Sequence, residues 1–127
     1  MKYPCEWLRK AYADIEASRI TLERGLADIA AFHAQQAVEK SLKALLVAVN
    51  KRPPKTHDID YLADLLEEAG VEVPMRDEIS PLTLYAVEAR YPGPPITLEE
   101  AEHAYEIAKA FLNTIEKEIE RRGIKCK

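Results

Sequence analysis

The chain has 127 residues, of which 47% are hydrophobic and 31% charged, a balance that suits one folded domain and excludes a disordered segment. Its formal net charge of −4 argues against a broad surface for coating nucleic acid, which is usually basic. No apolar run approaches the roughly 18 residues of a membrane span, so we expect no membrane segment.

Apolar residues recur at intervals of three and four along most of the chain, which predicts five α-helices. We expect them at residues 5–24, 26–51, 58–69, 81–89 and 97–122. Gly25 and Gly70 are predicted to end the first and third helices, because glycine readily takes the left-handed conformation of a helix C-terminus. The second helix is predicted to stop before Pro53, since proline lacks a donor and disfavours a helical residue before it.

Three of the helix starts carry capping signals. Asp58 is the predicted N-cap of the third helix, and Ser80 followed by Pro81 is the predicted start of the fourth. Thr97 and Glu100 form the pattern of a capping box at the start of the fifth. The fifth helix then repeats its apolar residues by three and four without a slip, which is typical of a helical bundle.

The predicted helices fill the chain without a strand, an internal repeat or a long linker, so the sequence indicates one all-α domain over residues 1–127. Small residues on the second helix and the regular spacing on the fifth favour a homo-oligomer. Cys5 and Cys126 stand near opposite ends and form no C-x-x-C pair. We expect two free thiols in a reducing cytoplasm, because the first residues lack a signal peptide; a disulfide between them is the alternative.

Polar residues follow one ridge of the second helix beside its apolar arc. His33, Gln36, Lys40 and Lys43 fall within a sector of roughly 80° and span roughly 15 Å. Two ammonium groups, an amide and an imidazole could receive an anion such as phosphate. The alternative is an ordinary boundary between core and solvent, where lysine stems cover apolar surface, and spacing alone favours that alternative.

Two further segments carry candidate binding residues. His57 stands between a Pro-Pro loop and a helix, where it could contact a ligand or simply shape the turn. Arg90 and Tyr91 precede three prolines and a glycine, and could hold a phosphate and stack a base, or only cap and pack. His103 lies among charged residues and is expected on a solvated face. The sequence contains no metal-ligand grouping, no nucleophile–base signature and no phosphate loop, so we assign neither catalytic nor metal-binding residues.

Three blocks of the sequence together resemble the HEPN domain family. They are the run from Phe32 to Leu46 (FHAQQAVEKSLKALL), the loop PKTHD ending at Asp58, and ARYPG ending at Gly93. The resemblance implies an up-and-down antiparallel helical bundle, commonly a homodimer. It implies that the chain binds a nucleotide and works beside a separate minimal nucleotidyltransferase. On this basis the ligand-binding residues are His33, Gln36, Lys40, Lys43, His57, Arg90 and Tyr91.

Another branch of that family consists of ribonucleases, including toxins, with an R-x4-6-H motif on a late helix. Arg52 and His57 match this spacing, but they fall in the loop after the second helix. No histidine follows Arg90 within reach on the expected helix. The sequence therefore favours a non-catalytic module that binds a nucleotide, with no other cofactor. A ribonuclease acting on RNA and a structural or antitoxin-like protein remain as alternatives.

Overall fold

A computed structural model describes residues 3–126 of the chain; Met1, Lys2 and Lys127 lie outside the described residues. Over that range it is all helical and contains no β-strand, as predicted. The helices are α1 Pro4–Glu23, α2 Ala27–Ala48, α3 Ile59–Glu68, α4 Arg76–Ile79, α5 Tyr85–Glu88 and α6 Leu98–Arg121. A 3-10 segment at Ser80–Leu84 joins α4 to α5.

The second helix is the centre of the bundle, because α1, α3, α5 and α6 all pack against it. A three-residue connection makes α1 antiparallel to α2. Tyr12 of α1 contacts Glu116 of α6, and Cys5 contacts Cys126, so α1 is antiparallel to α6 as well. Buried alanines on α2 allow its neighbours to approach closely, while large apolar side chains such as Phe111 fill the space between them. Consequently α2 is buried over much of its circumference.

Local chemistry accounts for most of the helix boundaries. Asp58 accepts a hydrogen bond from the Tyr61 amide, and Thr97 forms a full capping box with Glu100, as predicted. α2 ends at Ala48, three residues before the predicted end, because Asn50 takes a left-handed conformation with φ 64°. The amide of the following Lys51 then donates to the Leu46 carbonyl and closes the helix.

The fourth helix, predicted at residues 81–89, is not one continuous helix, because that range is divided between the 3-10 segment and α5, with the short α4 before them. Ser80 was predicted as an N-cap, which is wrong, because its hydroxyl donates to Asp60 of α3 at 2.7 Å. Pro81 has no amide hydrogen to continue an α-helical ladder. The Thr83 hydroxyl accepts a hydrogen bond from the Ile59 amide, so this segment follows the start of α3 rather than forming one straight helix.

The two cysteines form a disulfide, so the expectation of free thiols is wrong. Their Cα atoms lie 5.2 Å apart although 121 positions separate them along the chain. The tertiary fold brings them together, because α1 begins where α6 ends. After Gly123 the chain turns back, and Ile124 and Cys126 pack on the core. None of the helices in the described part of the chain is long and apolar enough to cross a bilayer.

Candidate ligand-binding site

Two buried carboxylates organise the polar face of α2. Asp14 on α1 is 8% exposed and Glu39 on α2 is 3% exposed. A buried carboxylate is unfavourable unless cations and hydrogen-bond donors surround it. Both have such partners, and most of the partners are the residues that the sequence singled out. We call the two sets the Asp14 group and the Glu39 group.

The Asp14 group joins α1 to α2. One oxygen of Asp14 lies 2.8 Å from Nδ1 of His33, and the other accepts a hydrogen bond from Nζ of Lys40 at 2.7 Å. An ionised carboxylate only accepts, so we assign the proton of this contact to Nδ1 of His33. The side chains of His33 and Lys40 remain 30% and 25% exposed. Asp14 therefore fixes a cation and an imidazole that both reach the surface.

The Glu39 group joins α2 to the loop before α3. One oxygen of Glu39 accepts a hydrogen bond from Nζ of Lys43 at 2.9 Å, and the other lies 2.9 Å from Nδ1 of His57. The amides of Gln35 and Gln36 donate to the same carboxylate at 3.2 Å each. Gln35 also donates to the backbone carbonyl of His57 at 3.1 Å. Because these bonds secure the loop as well as the imidazole, His57 is held in place although its side chain is 57% exposed.

Trp7 covers Lys43 at the inner edge of the Glu39 group. The Lys43 ammonium lies 5.5 Å from the centroid of the Trp7 ring, within the range of a cation–π contact. Lys43 is itself buried, so the ring and Glu39 replace its hydration. The indole Nε1 is buried and has no hydrogen-bond partner among residues 3–126.

Arg90 reaches the Asp14 group through an aromatic ring. Its guanidinium carbon lies 5.4 Å from the centroid of Phe32, and the edge of Phe32 meets His33 with the ring centroids 5.5 Å apart. Nε of Arg90 donates a hydrogen bond to the Ala86 carbonyl at 2.8 Å, and this bond orients the guanidinium group. Tyr91 is 65% exposed. The structure thus links His33, Lys40 and Arg90, and separately Gln36, Lys43 and His57.

Arg52 and His57, the pair with the ribonuclease spacing, both lie in the loop between α2 and α3, but beside different parts of α2. Arg52 lines a pocket with Leu46 of α2 and Glu68 near the end of α3. His57 contacts Glu39, which is seven residues before Leu46, or roughly 10 Å along the helix. Arg52 therefore lies near the end of α3, whereas His57 lies just before its start and contacts α2. His103 is exposed on α6, as expected.

Both histidines retain unused bonding capacity toward solvent. With Nδ1 bonded to a carboxylate, Nε2 of His33 and of His57 has no partner within the described residues. Lys40 uses one of its three N–H donors on Asp14. Five surface pockets of about 280 to 490 Å³ are lined by other residues. In the described part of the chain, no cluster of three or more histidine, cysteine, aspartate or glutamate side chains could hold a metal ion.

The sequence reasoning missed the residues that hold this face together, namely Asp14, Gln35, Glu39 and Trp7. Asp14 carried a readable signal, because it lies between Ala11 and Ser18 on the apolar stripe of the first helix, where an acid needs a buried partner. Glu39 lies four residues before Lys43 and three after Gln36, the spacings at which helical side chains meet. A buried acid between two polar positions indicates an organised cluster rather than a solvated edge.

The fold and this face define an all-α bundle whose central helix carries an internally paired polar cluster. The HEPN domain family matches residues 5–119, so the chain belongs to the HEPN family. TT1696 from Thermus thermophilus, a crystal structure, is 31% identical with a TM-score of 0.77, covering 92% of this chain and 98% of that one. ST0689, an archaeal HEPN homologue, is 25% identical with a TM-score of 0.71, covering 94% and 99%. No curated protein matches the chain.

Proposed function

We propose that this HEPN protein binds a nucleotide or another phosphate-bearing ligand on the face formed by the Asp14 and Glu39 groups, without catalysing its conversion. One observation carries the proposal: two buried carboxylates fix two lysines and a histidine on α2 and a second histidine on the loop before α3, while leaving unused donor positions at the surface. Donors held in advance by buried partners lose little conformational entropy when a ligand arrives.

The charge of the face favours an anion. Lys40, Lys43 and Arg90 oppose two carboxylates, which leaves one positive charge with both imidazoles neutral, although the whole chain carries −4. A protonated imidazole would add a second N–H donor at Nε2. Lys40 is better exposed than Lys43, so it is the lysine we expect to meet phosphate directly. Tyr91 and the Phe32–Arg90 pair offer flat surfaces for a base.

Two partners belong to the same proposal. The first is a separate minimal nucleotidyltransferase, and its support is the resemblance of the sequence to HEPN proteins of that type. The second is another copy of this chain. Leu84, Val87 and Tyr91, on and beside α5, each expose more than half of their surface, as residues at an interface would. Light scattering on the purified protein measures the oligomer, and co-purification from co-expressing cells tests the nucleotidyltransferase.

Isothermal titration with ATP, GTP and inorganic phosphate tests the binding itself. We expect saturable heat with at least one nucleotide, and at least a tenfold weaker affinity in Lys40→Met and in His57→Ala. Lys117→Met and His103→Ala are matched controls, because both residues are exposed on α6, and they should bind as the wild type does.

Absence of heat and of any thermal shift at millimolar nucleotide would refute ligand binding. The ribonuclease alternative has its own assay, incubation of the purified protein with structured and unstructured RNA. Cleavage that disappears in His57→Ala but persists in His103→Ala would replace the non-catalytic proposal with the enzyme. If nucleotide never binds but Lys40→Glu abolishes binding to a co-purified protein, the antitoxin-like alternative is correct.

A further inference from the structure

We propose that the Cys5–Cys126 disulfide is a reducible latch that holds the C-terminal tail and the first turn of α1 in place, and thereby keeps Trp7 over Lys43. Cys126 is the last described residue, and Cys5 lies in the first turn of α1, two residues before Trp7. A bond between these positions joins the first turn of α1 to the tail that follows α6.

The first turn of α1 has weak local restraints. Its N-cap residue, Tyr3, makes no side-chain capping bond, so the first amides of the helix have no side-chain acceptor there. Leu8 is the first residue of α1 that is fully buried in the core. The next polar contact between α1 and α6 is the hydrogen bond from the Tyr12 hydroxyl to Glu116, seven residues beyond Cys5. The disulfide therefore ties the turn before Leu8 to the C-terminal tail, and Trp7 in that turn is partly buried against the core.

The C-terminal tail is restrained in a similar way. α6 ends at Arg121, and Gly123 reverses the chain with φ +87°. Beyond it, Ile124 and Cys126 pack only partly against the core, and the intervening Lys125 is exposed. With the disulfide open, only the partial packing of Ile124 and Cys126 would anchor the tail, and such short terminal segments fray readily.

A pocket of about 390 Å³ gives access to the bond from solvent. It is lined by both cysteines with Leu8, Arg9, Tyr12 and Glu116. A dithiol reductant would enter as a thiolate and attack one sulfur, releasing the other cysteine as a thiolate that takes up a proton. The second thiol of the reductant would then attack the mixed disulfide and release the remaining protein cysteine. Two electrons and two protons pass to the protein, the reductant becomes a disulfide, and the Arg9 guanidinium favours the anionic thiolate at the pocket.

Trp7 connects this latch to the polar face of α2. Its ring covers Lys43, and Lys43 is bonded to Glu39, which also holds His57. Fraying of the first turn of α1 would remove the ring and admit water to the buried ammonium. The consequence for ligand affinity rests on the proposed function, whereas the movement of Trp7 does not.

The 127-residue chain contains one tryptophan, so its fluorescence reports on Trp7 directly. We expect dithiothreitol to raise the acrylamide quenching of Trp7 at least twofold. We also expect it to accelerate hydrogen exchange at least tenfold in residues 5–7 and 123–126, with the centre of α2 unchanged. Cys126→Ser should behave in this way without reductant. Tyr12→Phe, which breaks the other polar contact between α1 and α6, should leave the first turn protected while the disulfide is intact.

Two results would overturn the latch. One is that both thiols react with iodoacetamide in protein purified and stored under air, because the bond would then not form. The other is that the bond opens, as shown by a mass increase of two hydrogens, without a change in Trp7 quenching or in exchange at either end. If nucleotide gives no heat in either redox form while Trp7 responds to reduction, the proposed function fails and the latch stands.

Discussion

Replacing Glu39 by glutamine tests whether the buried carboxylate holds the polar face together. The substitution keeps the size of the side chain and removes its charge. Lys43, whose side chain is 8% exposed, then remains buried without its carboxylate partner. Its ammonium keeps the cation–π contact with the Trp7 ring. His57 also loses its carboxylate, but it is more than half exposed and water replaces much of that contact.

The loss of the ion pair at Lys43 determines how much Glu39→Gln destabilises the protein. Removing one partner of a buried ion pair destabilises a protein by about 3–5 kcal/mol. Because the glutamine oxygen still accepts hydrogen bonds, we expect the lower end, about 3 kcal/mol. For a domain of this size 1 kcal/mol corresponds to roughly 4 °C in melting temperature, so Glu39→Gln should melt about 12 °C lower.

Thermal and urea unfolding, followed by circular dichroism, measure this change. The double variant Glu39→Gln/Lys43→Gln removes both charges and should recover most of the stability, to within about 1 kcal/mol of the wild type. Glu16→Gln breaks an exposed pair with Arg19 and serves as the control, with no measurable change expected. A single variant as stable as the wild type, or a double variant as unstable as the single, would refute a charge-paired interior at Glu39.

Three further predictions concern other parts of the bundle. Thr97→Ala removes the capping box with Glu100 and should destabilise the protein by about 1 kcal/mol, measured by urea unfolding. Burial and Glu116 raise the pKa of Tyr12 above its ordinary value of 10.0, so the neutral hydroxyl stabilises the fold below that pH and this contribution is lost as pH rises beyond it. The stability difference between wild type and Tyr12→Phe, followed from neutral to strongly alkaline pH, should therefore shrink. Cys126→Ser opens a loop of 121 positions and should lower stability by up to about 4 kcal/mol, read as a melting temperature that no longer responds to reductant.

Helix positions were predictable because they depend on local patterns. The apolar spacing identified all three long helices, and the capping residues Asp58 and Thr97 act as their sequences indicate. Errors arose where a contact distant in sequence decides the conformation. Ser80 donates to Asp60 of α3 instead of capping its own helix. Asn50 ends α2 early because its amide side chain tolerates the left-handed region that glycine usually occupies.

The sequence identified part of the polar face of α2, but it did not reveal the environment of those residues. A helical wheel identifies the side on which Lys40 and Lys43 lie, but it does not reveal that α1, α3 and α6 surround α2. It therefore indicated an exposed ridge where the structure has ammonium groups paired with Asp14 and Glu39. The disulfide was beyond such reasoning, since only the tertiary fold determines that the start of α1 meets the tail after α6.

The central claim is that a phosphate-bearing ligand occupies the face that His33 and His57 share. The chain has three histidines, and the third, His103, is exposed on α6, so it is an internal control. Imidazole nitrogen and proton resonances, recorded by NMR during a titration with ATP, measure occupancy at each ring directly. We expect saturable shifts of the His33 and His57 resonances, with those of His103 unchanged. No shift at millimolar ATP, or an equal shift of all three rings, would contradict it.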